Sequence, residues 1–285
     1  NLNKILAVFT LLYAFIIYII TMAPTTSFWD CGEFIATSIT LGVPHPPGTP
    51  FYLLLGNFFS QLPTFSDLGA RVNLLSPLFS ALAVMFLYLI IVQLIEEWRG
   101  IVQSWPDRLI TYGSAIIGAF TFAVTDSHWF NAVEAEVYSI STFFTSIVVW
   151  LILKWSTNSG HPGNVRYILI IAYMFGLAIG IHLLNLLALP FIALIVYFNK
   201  YQFKPGTFMI TIGITIITFI VIYLGIIKGL PNMANSFGLN LPIFIVITIF
   251  AAMAYSVWKN YYQLSTILSC LVLIIIGFST YATIF

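Results

Sequence analysis

The chain has 285 residues, of which 60% are hydrophobic and only 7% are charged, and its formal net charge is +1. A mean hydropathy of +1.02 excludes a soluble globular protein and indicates a polytopic membrane protein. The near-zero net charge gives no indication of a nucleic-acid partner. The two cysteines, Cys31 and Cys270, lie far apart in different kinds of segment, which gives no indication of a disulfide.

Nine apolar segments are predicted as membrane helices of an all-α fold, most of them with the ~17–25 residues that a bilayer crossing needs. The first, from Leu2 to Met22, is too long for the apolar core of a signal peptide, and we interpret it as an uncleaved transmembrane helix. In the longest run, Pro190 and the polar pair His182 and Asn185 predict a break near 183–188. The nine segments are 4–22, 70–95, 109–125, 134–154, 166–182, 187–199, 207–227, 241–258 and 264–283.

The first outer loop covers about residues 23–69 and contains the apolar segment from Phe51 to Leu62, which is too short to cross a bilayer. We predict that this segment is a helix lying along the membrane surface. We expect one transmembrane domain over residues 1–285, and we expect it to be the N-terminal part of a longer protein.

The basic residues predict the orientation of these helices. With the N-terminus in the cytoplasm, all but two of the 10 Lys and Arg residues fall on the cytoplasmic side, as the positive-inside rule requires. The two exceptions are Arg71 and Lys228. The same layout gathers most acids and three histidines at the outer face, and ionisable groups near a membrane indicate a functional site. These histidines are His45, His128 and His182.

The first outer-face motif, Phe28-Trp29-Asp30-Cys31-Gly32-Glu33-Phe34, carries two carboxylates three residues apart. In a helix, Asp30 and Glu33 share one face. One of them can act as a general base toward an acceptor hydroxyl, while the other orients a neighbouring group or binds a cation. The alternative is a capping box in which Ser27 is the N-cap and Asp30 the third helical residue.

Two cationic candidates follow in the same loop. His45 lies in Pro44-His45-Pro46-Pro47-Gly48, where the prolines stiffen the backbone, and it can hold a phosphate or a sugar ring. The alternative for His45 is a solvated interfacial turn. Arg71 begins the second span, and a guanidinium can grip a phosphate with two donors. Its alternatives are an ion pair with Asp67 or a side chain that snorkels to the interface.

A second outer loop and a later helix end supply the remaining candidates. The stretch DSHWFNAVEAEVY contains His128, Glu134 and Glu136. Asn131, followed three residues later by Glu134, also fits a helix start, in which case Glu134 is structural. His182 lies in an otherwise apolar run, where a histidine is either a packing residue or, at the outer end of a helix, part of a site.

Several enzyme signatures are missing from the sequence. It has no H-E-x-x-H, C-x-x-C, G-x-S-x-G or P-loop motif, which argues against a zinc protease, a serine hydrolase and an ATPase. We identify no certain metal site. A carboxylate and histidine cluster leaves Mg²⁺ or Mn²⁺ open as a cofactor, because oxygen ligands suit these ions.

Four stretches together resemble a membrane-protein family found in Bacteroidota and in animals. They are FWDCGEFIATSITLGVPHPPGTPFY from Phe28, ARVNLLS from Ala70, WFNAVEAEVYS from Trp129 and GIHLLNLLALP from Gly180. The family was long labelled only as a domain of unknown function, and its animal member is linked to protein O-mannosylation. After Pro190 the resemblance weakens into generic apolar helix.

The resemblance implies the chemistry of the GT-C superfamily of glycosyltransferases, in which this family is placed. These enzymes transfer a sugar from a polyprenyl-phosphate donor on the outer or lumenal side of the membrane, usually with inversion, and an acid in the first outer loop is the base. By resemblance, Asp30 matches that catalytic position and Glu33 is its catalytic neighbour. The segment His45-Pro46-Pro47 is similar to the His-Pro-Pro motif of protein mannosyltransferases.

We therefore expect a transferase that moves a sugar, mannose foremost, from a polyprenyl-phosphate donor to a Ser/Thr hydroxyl of a secreted or periplasmic protein. We expect it in the bacterial inner membrane, in contact with membrane lipid, with its active site on the periplasmic face. Three alternatives stay open: a transporter or lipid-linked-sugar flippase, a non-catalytic assembly subunit, and a metal-dependent membrane hydrolase. The expected donor-binding residues are His45, Arg71, His128, Glu134, Glu136 and His182.

Overall fold

The computed structural model describes residues 2–161 and 163–283, and these residues form helices and loops without a strand among them. The chain divides into two compact units. The first contains the described residues of 1–150, 180–182 and 281–285, and the second contains those of 151–179 and 183–280.

The first unit carries both outer loops that the sequence singled out. Helix α8 continues past its boundary into the second unit. The helices of this part of the chain are α1 (Leu2–Thr21), α2 (Cys31–Thr40), α3 (Pro50–Ser60), α4 (Leu68–Asn73), α5 (Leu75–Arg99), α6 (Trp105–Ala123), α7 (Asp126–Ala132) and α8 (Val137–Thr157).

Helices α1, α5 and α6 pack through small residues, which let helix backbones approach closely in a membrane. Ala14, Ala81 and Ala119 are fully buried in this cluster. Tyr18 is also fully buried, and its hydroxyl donates to the Ala123 carbonyl at 2.8 Å. The polar atom of this core tyrosine is therefore paired, as a buried hydroxyl requires.

Helices α2 and α3 form a helical hairpin in the first outer loop, where the sequence predicted only the second helix. The hairpin turns at Leu41, which has a φ of 52°. Pro50 is the first residue of α3, a position where a missing N–H is tolerated. The Asn57 amide donates to the Ser38 and Ile39 carbonyls at 2.9 and 3.3 Å, pairing backbone groups that the end of α2 leaves open.

The short helix α4 is fastened at its start by two polar side chains. Asp67 caps it by accepting the Ala70 N–H at 3.0 Å. Arg71 donates from Nε to the Phe65 carbonyl at 2.6 Å and from Nη1 to the Ser60 carbonyl at 3.2 Å. The ion pair between Asp67 and Arg71 that the sequence offered as an alternative is therefore wrong, because each side chain binds backbone groups instead.

The second unit is built on a close contact between two glycines. Gly176 and Gly277 face each other so tightly that a Cβ placed on Gly277 would lie 2.7 Å from the Gly176 carbonyl carbon. The further helices are α9 (Val165–Ile179), α10 (Ala188–Lys200), α11 (Pro205–Ile220), α12 (Gly229–Phe237), α13 (Asn240–Trp258) and α14 (Tyr262–Phe278), with 3₁₀ turns at Leu183–Leu187 and Ser279–Thr283 and a π-helical segment at Val221–Ile227.

Each of the nine predicted apolar segments coincides with a helix, which confirms an all-α polytopic membrane fold. In the described part of the chain, seven helices are long and apolar enough to cross a membrane, or eight if α6 and α7, bent by 67°, form one span. The number is lower than nine because α9, with 15 residues, is shorter than a crossing normally needs. The predicted break before α10 is confirmed by the 3₁₀ turn at Leu183–Leu187.

The contact between α2 and α3 yields a test of the fold. A Cβ on Gly56 would lie 2.8 Å from the Ser38 Cβ and still closer to its Oγ, so the two helices would have to separate. We expect Gly56→Ala to destabilise the protein by about 1–3 kcal/mol, as overpacking does. Gly113→Ala is the control, since Gly113 has no neighbour within 4 Å in the direction of a Cβ. Equal melting temperatures for the two variants would contradict this packing.

Candidate active site

Asp30 lies at the N-terminus of α2 with an exposed side chain. The helix begins at Cys31, so Asp30 is its N-cap, yet its carboxylate makes no capping hydrogen bond. The capping box considered from the sequence is therefore wrong, because Ser27 lies in the loop before the helix. The carboxylate stays available at the positive end of the helix dipole, which stabilises negative charge there.

The turn before Asp30 exposes two aromatic side chains, Phe28 at 80% and Trp29 at 85%. Trp29 has a φ of 57°, in the left-handed region that bulky residues seldom adopt. The surrounding fold must hold this turn, and backbone strain of this kind is found most often at functional sites. An exposed indole is thereby presented immediately before the candidate base.

Glu33 holds His45 against the first turn of α2. One Glu33 oxygen accepts the His45 backbone N–H at 2.7 Å, and the other pairs with Nδ1 of the imidazole, also at 2.7 Å. This hydrogen bonding raises the pKa of His45 and lowers the pKa of Glu33. Two charge-assisted bonds to one carboxylate fix both the backbone and the ring of the proline-rich loop.

The pair keeps both charges over a wide pH window. Because the pKa of His45 is raised, the stability that its charged form contributes is lost as the pH rises past a value above 6.5. Because the pKa of Glu33 is lowered, the stability that its charged form contributes is lost only as the pH falls below 4.5. The hydrogen bond to Glu33 therefore favours the protonated form of His45 beside Asp30.

Glu134 and Glu136 lie in the segment between α7 and α8, and both are buried, with 2% and 6% of their surfaces exposed. Helix α8 begins at Val137, so the helix start predicted from Asn131 and Glu134 is wrong. Burial raises the pKa of Glu136 to about 7, helped by the negative charges of Asp30 and Glu134. Glu136 therefore shares an electrostatic environment with Asp30 and keeps its proton into the neutral range.

A buried polar layer accompanies these carboxylates. Tyr52 is fully buried with its ring 5.2 Å from that of Phe34, which in turn lies 5.8 Å from the His45 ring. Burial, with the nearby charge of Glu136, raises the pKa of Tyr52, so its hydroxyl stays protonated. The Tyr52 hydroxyl and one Glu134 oxygen find no hydrogen-bond partner among the described residues. Such orphaned groups are rare in a stable core and more frequent in sites built for a ligand.

The other predicted residues lie in different surroundings. Arg71 binds the carbonyls described above. His128 is buried in the apolar cluster of α1, α5 and α6, with its ring 4.2 Å from the Phe122 ring. His182 is half-buried, and its ring lies 5.2 Å from that of Tyr138. The residues that the structure brings together are thus Asp30, Glu33, His45 and Glu136.

Sequence reasoning missed two buried residues of this region, Asn73 and Tyr52. Both are fully buried. A signal for Asn73 was present, because an amide at the start of a long apolar helix is costly unless it is hydrogen bonded. Tyr52 gave no signal, since a tyrosine on a short amphipathic helix is equally consistent with an interfacial position.

The cluster also has the dimensions of a cation site. One ligand atom from each of Asp30, Glu33 and His45 lies within 4.8 Å of the other two. Oxygen ligands with one imidazole suit Mg²⁺ or Mn²⁺. Both Glu33 oxygens also bind His45, so an ion would share them with the backbone N–H and the imidazole of that residue.

Comparison with known proteins assigns the chain to a family. Residues 30–204 match the family described as the protein O-mannosyl-transferase TMEM260 N-terminal domain. The chain belongs to this family. The match begins at Asp30 and includes Glu33, His45 and Glu136. It continues beyond Pro190, where the sequence resemblance weakened.

Two curated proteins are similar in sequence to part of this chain. A Dictyostelium discoideum protein named protein O-mannosyl-transferase tmem260 is 29% identical over 189 residues, or 62% of this chain. A mouse protein named protein O-mannosyl-transferase TMEM260 is 28% identical over 163 residues, or 57% of this chain. The match spans 21% of each relative's length. No solved structure matches at a comparable level of significance.

The buried carboxyl of Glu136 makes a measurable prediction. Between the ordinary value of 4.5 and about 7, the folded protein retains a proton that the unfolded chain has lost, so stability falls as the pH rises. We expect the melting temperature to fall between about pH 5 and about pH 8, and Glu136→Gln to reduce that fall. Glu97→Gln, which removes an exposed carboxyl at the end of α5, should leave the pH dependence unchanged. A Glu136→Gln profile that parallels the parent would contradict the assignment.

Proposed function

We propose that this chain is the membrane part of a protein O-mannosyltransferase and carries its catalytic base. The enzyme transfers mannose from a polyprenyl-phosphate donor to a Ser/Thr hydroxyl of a protein acceptor, with inversion at the anomeric carbon. The names of the Dictyostelium and mouse relatives support the transfer of mannose to protein. The apolar helices support a lipid-linked donor, because such a donor reaches the site from within the bilayer.

The observation that carries this proposal is that the Asp30 carboxylate is exposed and makes no capping hydrogen bond. It lies at a helix N-terminus, in the cluster with Glu33 and His45, and at the first residue of the family match. A general base must reach its substrate, so exposure favours Asp30 over the buried Glu134 and Glu136.

The proposed reaction is a single displacement. Asp30 accepts the proton of the acceptor hydroxyl while the hydroxyl oxygen attacks the anomeric carbon. The bond from that carbon to the phosphate oxygen breaks, and the lipid phosphate leaves with the electron pair. Negative charge grows on the phosphate in the transition state, where a fixed cation is most effective. The His45 imidazolium, oriented by Glu33, supplies that cation.

The remaining residues are assigned supporting roles. Arg71 is proposed to contact the donor phosphate through the guanidinium donors that do not bind Phe65 and Ser60. Glu136 and Glu134 are proposed to face the sugar, with Glu136 protonated so that it does not repel the phosphate. His128 and His182 are the weakest of the proposed donor-binding residues, because both rings pack against other aromatic rings.

We further propose that the site faces the periplasm of a bacterial inner membrane, as the basic residues predicted. Its partners are then the lipid-linked donor, membrane lipid and a secreted or periplasmic acceptor protein. A GT-C-type active site needs no nucleotide, because the sugar arrives already joined to a lipid phosphate.

The direct test is sugar transfer by the full-length protein in membranes. Labelled polyprenyl-phosphate mannose and a Ser/Thr acceptor are supplied to the parent, to Asp30→Asn and to Asp126→Asn. We expect Asp30→Asn to lower kcat by about 10²-fold or more, as removal of a general base does. Asp126→Asn makes the same charge change at an exposed residue of α7 and should keep parental activity.

Each other outcome redirects the proposal. Equal transfer by the parent and Asp30→Asn would remove Asp30 as the base and direct attention to Glu33, Glu134 or Glu136. Absence of transfer by the parent would overturn the proposed donor or acceptor. Flipping of the lipid-linked sugar without transfer would favour the flippase alternative.

A further inference from the structure

Asn73 joins the two segments that carry the acidic residues. Its Nδ2 donates to the Ala23 and Thr25 carbonyls, both at 2.8 Å. Its Oδ1 accepts the Ala135 N–H at 3.0 Å and the Cys31 thiol at 3.7 Å. Both amide hydrogens and the carbonyl oxygen are therefore used, in a side chain with no exposed surface.

The partners of Asn73 adjoin the proposed reacting groups. Cys31 directly follows Asp30, and Ala135 lies between Glu134 and Glu136. The amide thus bridges the start of α2 and the backbone between the two buried acids. A second contact reinforces this register one helical turn further on, where the Ser139 hydroxyl donates to the Ser76 hydroxyl at 3.2 Å.

We propose that Asn73 is a positioning residue that fixes the Asp30 and Glu136 segments relative to each other for transfer. The effect of Asn73 on catalysis rests on the proposed function above. Its role in holding the two segments together through hydrogen bonds does not depend on any activity. The proposal is tested with Asn73→Ala, which removes every bond of the amide, and with Asn73→Asp, which keeps the shape and the acceptor oxygen but loses both donors.

Asn57→Ala is the matched control. Asn57 also donates two hydrogen bonds to backbone carbonyls within the first unit, but its partners, Ser38 and Ile39, lie at the far end of α2 from Asp30. A purely structural asparagine should therefore behave like Asn57. A positioning asparagine should change the site beyond its effect on stability.

The first readout needs no activity. Cys31 is buried and bonded to Asn73, so we expect its alkylation in the full-length protein to be slow. Mass spectrometry of the peptide containing Cys31 should show that alkylation is about tenfold or more faster in Asn73→Ala. The local opening that exposes the thiol then no longer has to break the hydrogen bonds of Asn73. Asn73→Asp should give a smaller increase, and Asn57→Ala none. If Cys31 were alkylated as slowly in both Asn73 variants as in the parent, Asn73 would not be the residue that holds these segments together.

The second readout is kinetic. Among variants matched in melting temperature, we expect Asn73→Asp to lower kcat while the KM for the donor stays near parental, because Asp30 and Glu136 are no longer held together. Asn57→Ala should not lower kcat. Equal kcat losses for Asn73→Asp and Asn57→Ala would overturn the positioning role. An inactive parent would overturn the proposed function, while the alkylation result would still decide whether Asn73 holds the two segments together.

Discussion

The buried amide of Asn73 is bonded to three separate stretches of the chain, the turn after α1, the start of α2 and the segment before α8. Two of these stretches also meet in a small apolar cluster of Cys31, Val72 and Ala135. Loss of the amide would leave the buried Ala135 N–H unpaired, which costs about 1–3 kcal/mol for such a group. The candidate site therefore depends on buried polar contacts as well as on the apolar packing of the helices of the first unit.

The electrostatics of the site follow from this arrangement. Asp30 and Glu33 are at the surface, where water and the dipole of α2 stabilise their charges, whereas Glu134 and Glu136 are buried close to them. The ion pair between Glu33 and His45 places a basic ring beside these carboxylates. The raised pKa of Glu136, about 7, lowers the negative charge of this group of carboxyls toward neutral pH.

The fold was largely predictable because long apolar runs are a one-dimensional signal, whereas the orientation indicated by the basic residues stays a prediction. The site was predictable in its composition but not in its assembly. Helix α2 was missed since its ten residues contain glycine, threonine and serine and lack an obvious cap. The role of Asp67 depended on a backbone N–H and that of Arg71 on backbone carbonyls, which a sequence pattern does not show. The sequence signals that the Asn73 amide needs partners, but it does not show that one of them lies 62 residues away in the chain.

The central claim is that the acceptor hydroxyl is deprotonated at the N-terminus of α2. A structure of the full-length protein with a non-transferable polyprenyl-phosphonate mannose and a serine acceptor peptide tests it most directly. The account predicts the acceptor oxygen within about 2.6–3.2 Å of the Asp30 carboxylate, with the phosphonate beside His45. An acceptor hydroxyl bound to another carboxylate, or a donor bound away from the cluster of Asp30, Glu33 and His45, would contradict it.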